Sequence, residues 1–222
     1  MHNPLKRRFE EQTVKDAYAA VAWFYNSWSR MTESRAAGTV LELARIKNGE
    51  RILEVAVGTG LVFAEIVKRN QHGINAGLDL SESMLQRAEK RMKNIPKDRY
   101  ELHIGNAFKL PFNSQHFDLL INNFMLDLLP EQDFVTVLTE FKRVLKPGGR
   151  IVVSTMTFGR KWYNRTWHLV ANYLPSLLTG CRPIAIGPYL MQVGYDIVDS
   201  VYISQNTFPS EVTTARISGN FS

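Results

Sequence analysis

Two features of this sequence have the residue types and spacing to do chemistry. One is the loop Glu54-Val55-Ala56-Val57-Gly58-Thr59-Gly60, and the other is Asp79, 19 residues beyond Gly60. Without a Cβ, Gly58 and Gly60 let backbone approach a ligand closely, and a helix beginning after Gly60 offers unpaired N–H donors to an anionic group. A carboxylate closing the next strand can accept hydrogen bonds from both hydroxyls of a ribose. A dinucleotide fingerprint G-x-G-x-x-G begun at Gly58 would need a small residue at Phe63, which is bulky, and this counts against NAD. The plain alternative for Asp79 is an acid that merely ends a strand. The agreement of acid, loop and strand order favours ribose.

These residues need a scaffold that brings strand ends together. Glu11 to Ile46 carries apolar residues at helical spacing and reads as two helices. Arg51–Val57 reads as strand and Leu61–Asn70 as helix, followed by strand Ile74–Leu80 and helix Ser81–Asn94, with Ser81 as its cap. Tyr100–Ile104 and Phe117–Asn122 are short strands. Glu131–Leu145 is amphipathic, and Pro147-Gly148-Gly149 stops it before the strand Arg150–Thr157. Such alternation predicts an α/β, Rossmann-like, doubly wound sheet of seven strands, mostly parallel, with helices on both faces and ligands at the carboxyl ends of the strands. Asp196–Ser204 and Glu211–Ile217 have no helix between them and predict an antiparallel C-terminal hairpin.

With these elements in place, Ile52 to Gly60 and Gly77-Leu78-Asp79-Leu80-Ser81-Glu82-Ser83-Met84-Leu85 resemble the first two motifs of class I S-adenosylmethionine (SAM) dependent methyltransferases. Asn106 to Phe112, Phe117-Asp118 and Leu145 to Arg150 resemble the family's later motifs in the expected order. The resemblance implies SAM as cofactor and S-adenosylhomocysteine (SAH) as product. It further implies that Glu54 orients the loop or the SAM amino group, that Ala56, Gly58 and Gly60 border the methionine part, and that Asp79 takes the ribose. Asn106 and Phe108 would meet adenine, and Leu80, Met84, Ala107 and Asn122 complete the cofactor set. Ala56 stands where the family usually has a glycine, and Asn106 where Asp is common. Tyr18, Ala22, Tyr25 and Asn26 resemble a segment of the ubiquinone/menaquinone-biosynthesis and phospholipid N-methyltransferases, so Tyr25 is a further cofactor contact, with a core aromatic stripe as its equal alternative.

The acceptor side is less legible. In-line methyl transfer gains most from positioning, so a general base is optional; Asp127 and His168 are the candidates, the first with a capping role and the second with a surface role as alternatives. Arg160 to His168 mixes cations with aromatics, which suits either a membrane surface or a helix covering the sheet. The chain carries 27 Lys and Arg against 21 Asp and Glu, a net charge of +6. That excess is ordinary for a small enzyme, and nucleic acid is the least favoured partner. One cysteine, no signal-like start and no long apolar run suggest a cytoplasmic protein; no metal-ligand spacing stands out.

The reading is therefore a single domain over 1–222: N-terminal helices over the cofactor (1–48), a SAM-binding core (49–157), an acceptor-side cover (158–195) and the hairpin (196–222). The expected acceptor is a small or lipid-like molecule such as a quinone precursor. A SAM-binding protein without transfer activity and a nucleic-acid methyltransferase remain as alternatives.

Overall fold

A computed structural model describes residues 34–159 and 182–219 of the chain. Its elements run α1 (Ser34–Leu43), β1 (Arg51–Val55), α2 (Leu61–Arg69), β2 (Ile74–Asp79), α3 (Glu82–Arg91), β3 (Glu101–Ile104), β4 (Phe117–Asn123), α4 (Phe134–Val144), β5 (Leu145–Met156), α5 (Gly187–Gln192), β6 (Tyr195–Gln205) and β7 (Phe208–Ile217). The strands form one sheet in the order β3-β2-β1-β4-β5-β7-β6. Strands β1 to β5 are mutually parallel, and β7 runs antiparallel to both β5 and β6. The expected seven-stranded, doubly wound sheet with a C-terminal hairpin is what forms.

Two apolar layers hold it. On one face Ile52, Leu119, Ile121 and Val152 pack with Val40 of α1, Phe63 and Ile66 of α2 and Ala88 of α3. On the other face Leu53, Val55, Leu120 and Val153 pack with Val137, Leu138 and Phe141 of α4 and Leu190 of α5. The central strands read as apolar runs because both of their faces are covered.

The element ends depart from the sequence expectation in ways that have local causes. α3 starts where Ser81 accepts from the Met84 N–H at 3.4 Å, as a cap should. α4 is shorter than expected, because Glu131–Asp133 makes a separate 3-10 turn after Pro130. Pro147-Gly148-Gly149 lies within β5 rather than before it. Leu145 already pairs with Phe117, the three residues are bulged out, and pairing resumes at Leu119 and Arg150. The hairpin closes on the two residues Asn206 and Thr207, with φ of 49° and 68°, as a tight turn between twisted strands requires. Among the described residues no helix is long and apolar enough to cross a membrane.

Candidate active site

The parallel strands present their carboxyl ends along one edge, and hydrogen bonds stitch these ends together. The Ala56 and Val57 N–H groups donate to the Leu78 carbonyl at 2.7 and 3.1 Å, and the Gly105 N–H to the Asp79 carbonyl at 2.9 Å. Asn122 Nδ2 donates to the Val55 carbonyl at 2.9 Å. β1, β2, β3 and β4 are thus tied where their loops begin.

Asp79 is central to this arrangement. Its Oδ2 accepts from the Gly58 N–H at 2.7 Å and its Oδ1 from the Ser81 N–H at 2.9 Å. Burial pushes its carboxyl above the ordinary value, against the opposing pull of the Ser81, Gly58 and Leu80 N–H groups. A carboxylate has about four acceptor positions, so these three N–H groups leave capacity for a further donor. The residue singled out for ribose therefore also latches the glycine loop onto β2, which sequence spacing does not reveal.

The loop is shaped by backbone outside the usual range for side-chain-bearing residues. Ala56, Gly58 and Gly60 have φ of 63°, 54° and 75°. Ala56 thus adopts the left-handed conformation that its methyl disfavours, at a cost of roughly 1–2 kcal/mol. Gly58 has open space where a Cβ would stand, whereas a Cβ on Gly60 would lie 3.0 Å from Cα and Cβ of Ala88 on α3. Gly60 is therefore a packing contact between α2 and α3 as well as part of the loop. Filling it disturbs the fold, so it does not simply block a ligand.

A cleft opens over this loop, lined by Glu54, Ala56, Gly58, Ala37 of α1, Asn123 and Phe124, among others. Phe124 has φ of 45°, uncommon for an aromatic, and donates its N–H to the Ser154 carbonyl at 2.9 Å. Glu54 is 2% exposed. Its Oε1 accepts from Asn123 Nδ2 at 3.2 Å, and its Oε2 is buried with no hydrogen-bond partner. Burial pushes the Glu54 carboxyl up to about 8, with the Asn123 bond pulling it down and the charge of Asp79 adding to the rise. An orphaned, buried carboxylate oxygen on a cleft wall suits a ligand that brings a positive charge or an N–H donor.

The remaining expected site residues are arranged as follows. Met84 is buried at the start of α3, and Leu80 is partly exposed beside Asp79. Asn106, Ala107 and Phe108 follow β3, where Asn106 Oδ1 accepts from the Phe108 N–H at 3.0 Å. The amide oxygen of Asn106, the residue expected to meet adenine, therefore closes a turn. Asn122 is fully buried, with Nδ2 on β1 and Oδ1 lacking a partner. Asp127 is fully buried in the 3-10 turn Leu126–Leu128, away from the cleft lining. Its Oδ2 accepts from the Met156 N–H at 2.9 Å, and its carbonyl accepts from the Arg182 N–H at 3.2 Å. Tyr25, His168 and the cation-aromatic segment lie outside the described residues. Among the described residues no group of three or more His, Cys, Asp or Glu could hold a metal ion. Phe124 and Ala37 enter the cleft without a counterpart in the sequence reading, whereas Asn123, which that reading places with Asn122 and residues 160–190 around the acceptor pocket, lines the cleft beside Glu54. The strand register, which places Asn122 beside Val55, is what brings Asn123 over Glu54.

Comparison with known proteins gives this geometry a context. Residues 52–149 match the methyltransferase-domain family. A demethylmenaquinone methyltransferase of Bacillus velezensis is 37% identical over 115 residues, covering 50% of this chain and 48% of that protein. The chain thus matches about half the length of such relatives. Among solved structures, a Burkholderia thailandensis 1,6-didemethyltoxoflavin-N1-methyltransferase with bound 1,6-didemethyltoxoflavin and SAH aligns at a TM-score of 0.73 and 15% identity, covering 99% of this chain and 92% of that one. The [4+2]-cyclase SpnF aligns at a TM-score of 0.71 and 18% identity, covering 94% and 97%. In both sequence and fold the chain resembles the class I SAM-dependent methyltransferases.

Proposed function

We propose that this chain, whose residues 52–149 match the methyltransferase-domain family, transfers a methyl group from SAM to a small or lipid-soluble acceptor, a quinone precursor being the best fit. The observation that carries the reading is the buried, unpartnered Glu54 Oε2 on the cleft wall beside the glycine loop. A ligand ammonium would satisfy that oxygen and hold Glu54 ionised. The open space at Gly58 would admit the methionine part, and the remaining acceptor capacity of Asp79 would take a ribose hydroxyl. Asn106, Ala107 and Phe108, beyond the neighbouring strand end, would border adenine. When bound, SAM supplies an electrophilic methyl group on a sulfonium.

The protein's share of the chemistry is then mainly orientation, since holding two reacting groups in line can supply up to roughly 7–11 kcal/mol of barrier reduction. Asp127 enters this reading as the pin that fixes the loop after β4 against β5, because its Oδ2 already holds the Met156 N–H. The quinone assignment is supported by the demethylmenaquinone methyltransferase relative, over the half of its length that aligns.

The test is SAH binding by calorimetry, together with label transfer from methyl-tritiated SAM to a short-chain demethylmenaquinone. Micromolar SAH binding and labelled product are expected. Asp79→Asn is expected to weaken SAH about tenfold through lost acceptor strength. Absence of SAH binding by the folded protein would overturn the reading. Binding without transfer to any phenolic or quinone acceptor would leave a SAM-binding protein instead.

A further inference from the structure

We propose that Ser154 and Asn123 are positioning residues for the cleft carboxylate: a hydrogen-bond relay across β5, β4 and β1 fixes Glu54 so that its second oxygen is held for the ligand. The inference rests on reading the cleft as the cofactor site.

Strand register supplies the first part of the argument. Asn123 lies beside Ser154 in the β4–β5 pair, and Glu54 lies beside Ile121 in the β1–β4 pair. Side chains alternate along a strand, so Glu54, Asn123 and Ser154 share the face on which Ile121 and Val152 pack against α1 and α2. Three polar side chains are thus placed in sequence across three central strands, at the carboxyl end of the face that carries Ile52, Ile121 and Val152.

Hydrogen-bond chemistry fixes the direction of the relay. Ser154 Oγ donates to Asn123 Oδ1 at 2.9 Å, and Asn123 Nδ2 donates to Glu54 Oε1 at 3.2 Å. The amide oxygen of Asn123 can only accept, so the Ser154 hydroxyl holds it, and the amide nitrogen is left facing the carboxylate. A flipped amide would set oxygen against oxygen at an ionised Glu54, which has no proton to donate. Ser154 is fully buried in the run Ile151-Val152-Val153, where a hydroxyl without a partner would be a burden. Its bond to Asn123 gives that hydroxyl a purpose.

The relay also acts on charge. Among the described residues, the charged side chain that acts on Glu54 is Asp79, on the neighbouring strand β2, and it disfavours ionisation. Asn123 supplies the one N–H that favours it. Without the relay, Glu54 should ionise at higher pH, and its free oxygen should be less well aimed.

The experiment follows the Glu54 carboxyl directly, by carbon-13 NMR titration of the free protein with labelled glutamate, alongside SAH calorimetry at several pH values. Asn123→Ala should raise the Glu54 midpoint by about one pH unit and weaken SAH at pH 7 about tenfold. Ser154→Ala should do the same to a lesser degree, and Ser154→Thr, which keeps the hydroxyl, should restore both. In a Glu54→Gln background, Asn123→Ala should change SAH affinity less than about twofold, as expected when the coupling runs through that carboxyl. If the Asn123 variant does not fold, the contrast between Ser154→Ala and Ser154→Thr decides. An unchanged Glu54 midpoint in the folded alanine variants overturns the relay. A wild-type protein that binds no SAH overturns the cofactor reading instead, while the NMR titration still decides the relay.

Discussion

Replacing Glu54 with Gln should flatten the pH dependence of folding stability. Burial pushes the carboxyl up to about 8 in the folded protein, against an ordinary value of 4.5. The fold therefore favours the protonated form, and the contribution of Glu54 is fully present below about pH 4.5 and lost as pH rises towards 8. Linkage puts the loss at about 1 kcal/mol at pH 5.5 and about 4 kcal/mol at pH 7.5, a difference of roughly 2–3 kcal/mol. Glutamine keeps an acceptor for Asn123 Nδ2 and cannot ionise. Urea unfolding of both proteins at pH 5.5, 6.5 and 7.5 and constant ionic strength isolates the effect, because the other titrating groups cancel in the difference. The stability of wild type minus that of Glu54→Gln should fall by roughly 2–3 kcal/mol across this range. A difference that stays constant within about 0.5 kcal/mol would mean that Glu54 is already ionised when folded, and the account of its burial would be refuted.

Three further outcomes follow from backbone and charge geometry. Ala56→Gly should stabilise the protein by about 0.5–1 kcal/mol in urea unfolding, because relief of a left-handed alanine outweighs the added chain entropy of glycine. Gly60→Ala should destabilise by at least about 1 kcal/mol more than Gly58→Ala, since the new methyl at Gly60 meets Ala88 while that at Gly58 meets nothing; equal losses would place the cost in backbone conformation alone. Arg150 bonds both oxygens of Glu50 at 2.7 and 2.8 Å and the Ala44 carbonyl, beyond the end of α1, at 2.8 Å. Arg150→Met should therefore cost about 3 kcal/mol at pH 7, by leaving a half-buried Glu50 without its partner. Although burial alone would raise the Glu50 carboxyl, the Arg150 hydrogen bonds bring it below the ordinary value. Its contribution is present above about pH 4.5 and lost at lower pH, so the gap between the two proteins should close on acidification.

What the sequence discloses here is what local chemistry dictates. Gly58, Gly60 and the cap Ser81 announce themselves because backbone conformation and helix starts depend on the residue itself. The strand order follows because apolar runs alternate with amphipathic ones. The second role of Asp79 is hidden, since the Gly58 N–H it holds lies 21 residues away and comes within reach only when β1 and β2 align. The bulge at Pro147-Gly148-Gly149 is hidden for a similar reason, because turn residues look the same before a strand as within one. Asp127 is a related case. Its position after the fourth strand is compatible with chemistry or with a cap, and its carboxylate bonds a backbone N–H on β5, a partner that no local pattern names.

The fold by itself selects no reaction, since a [4+2]-cyclase and an N-methyltransferase both superpose on this chain at TM-scores above 0.7. What distinguishes one user of such a sheet from another is the set of side chains at its carboxyl edge. Here that set is a buried acid on β1 with one oxygen held and the other orphaned, beside a glycine loop latched by a second acid on β2. Two neighbouring carboxyl groups are costly to bury, and the charge of Asp79 adds to the ionisation cost of Glu54. A cationic ligand group placed at the orphaned oxygen would relieve that cost.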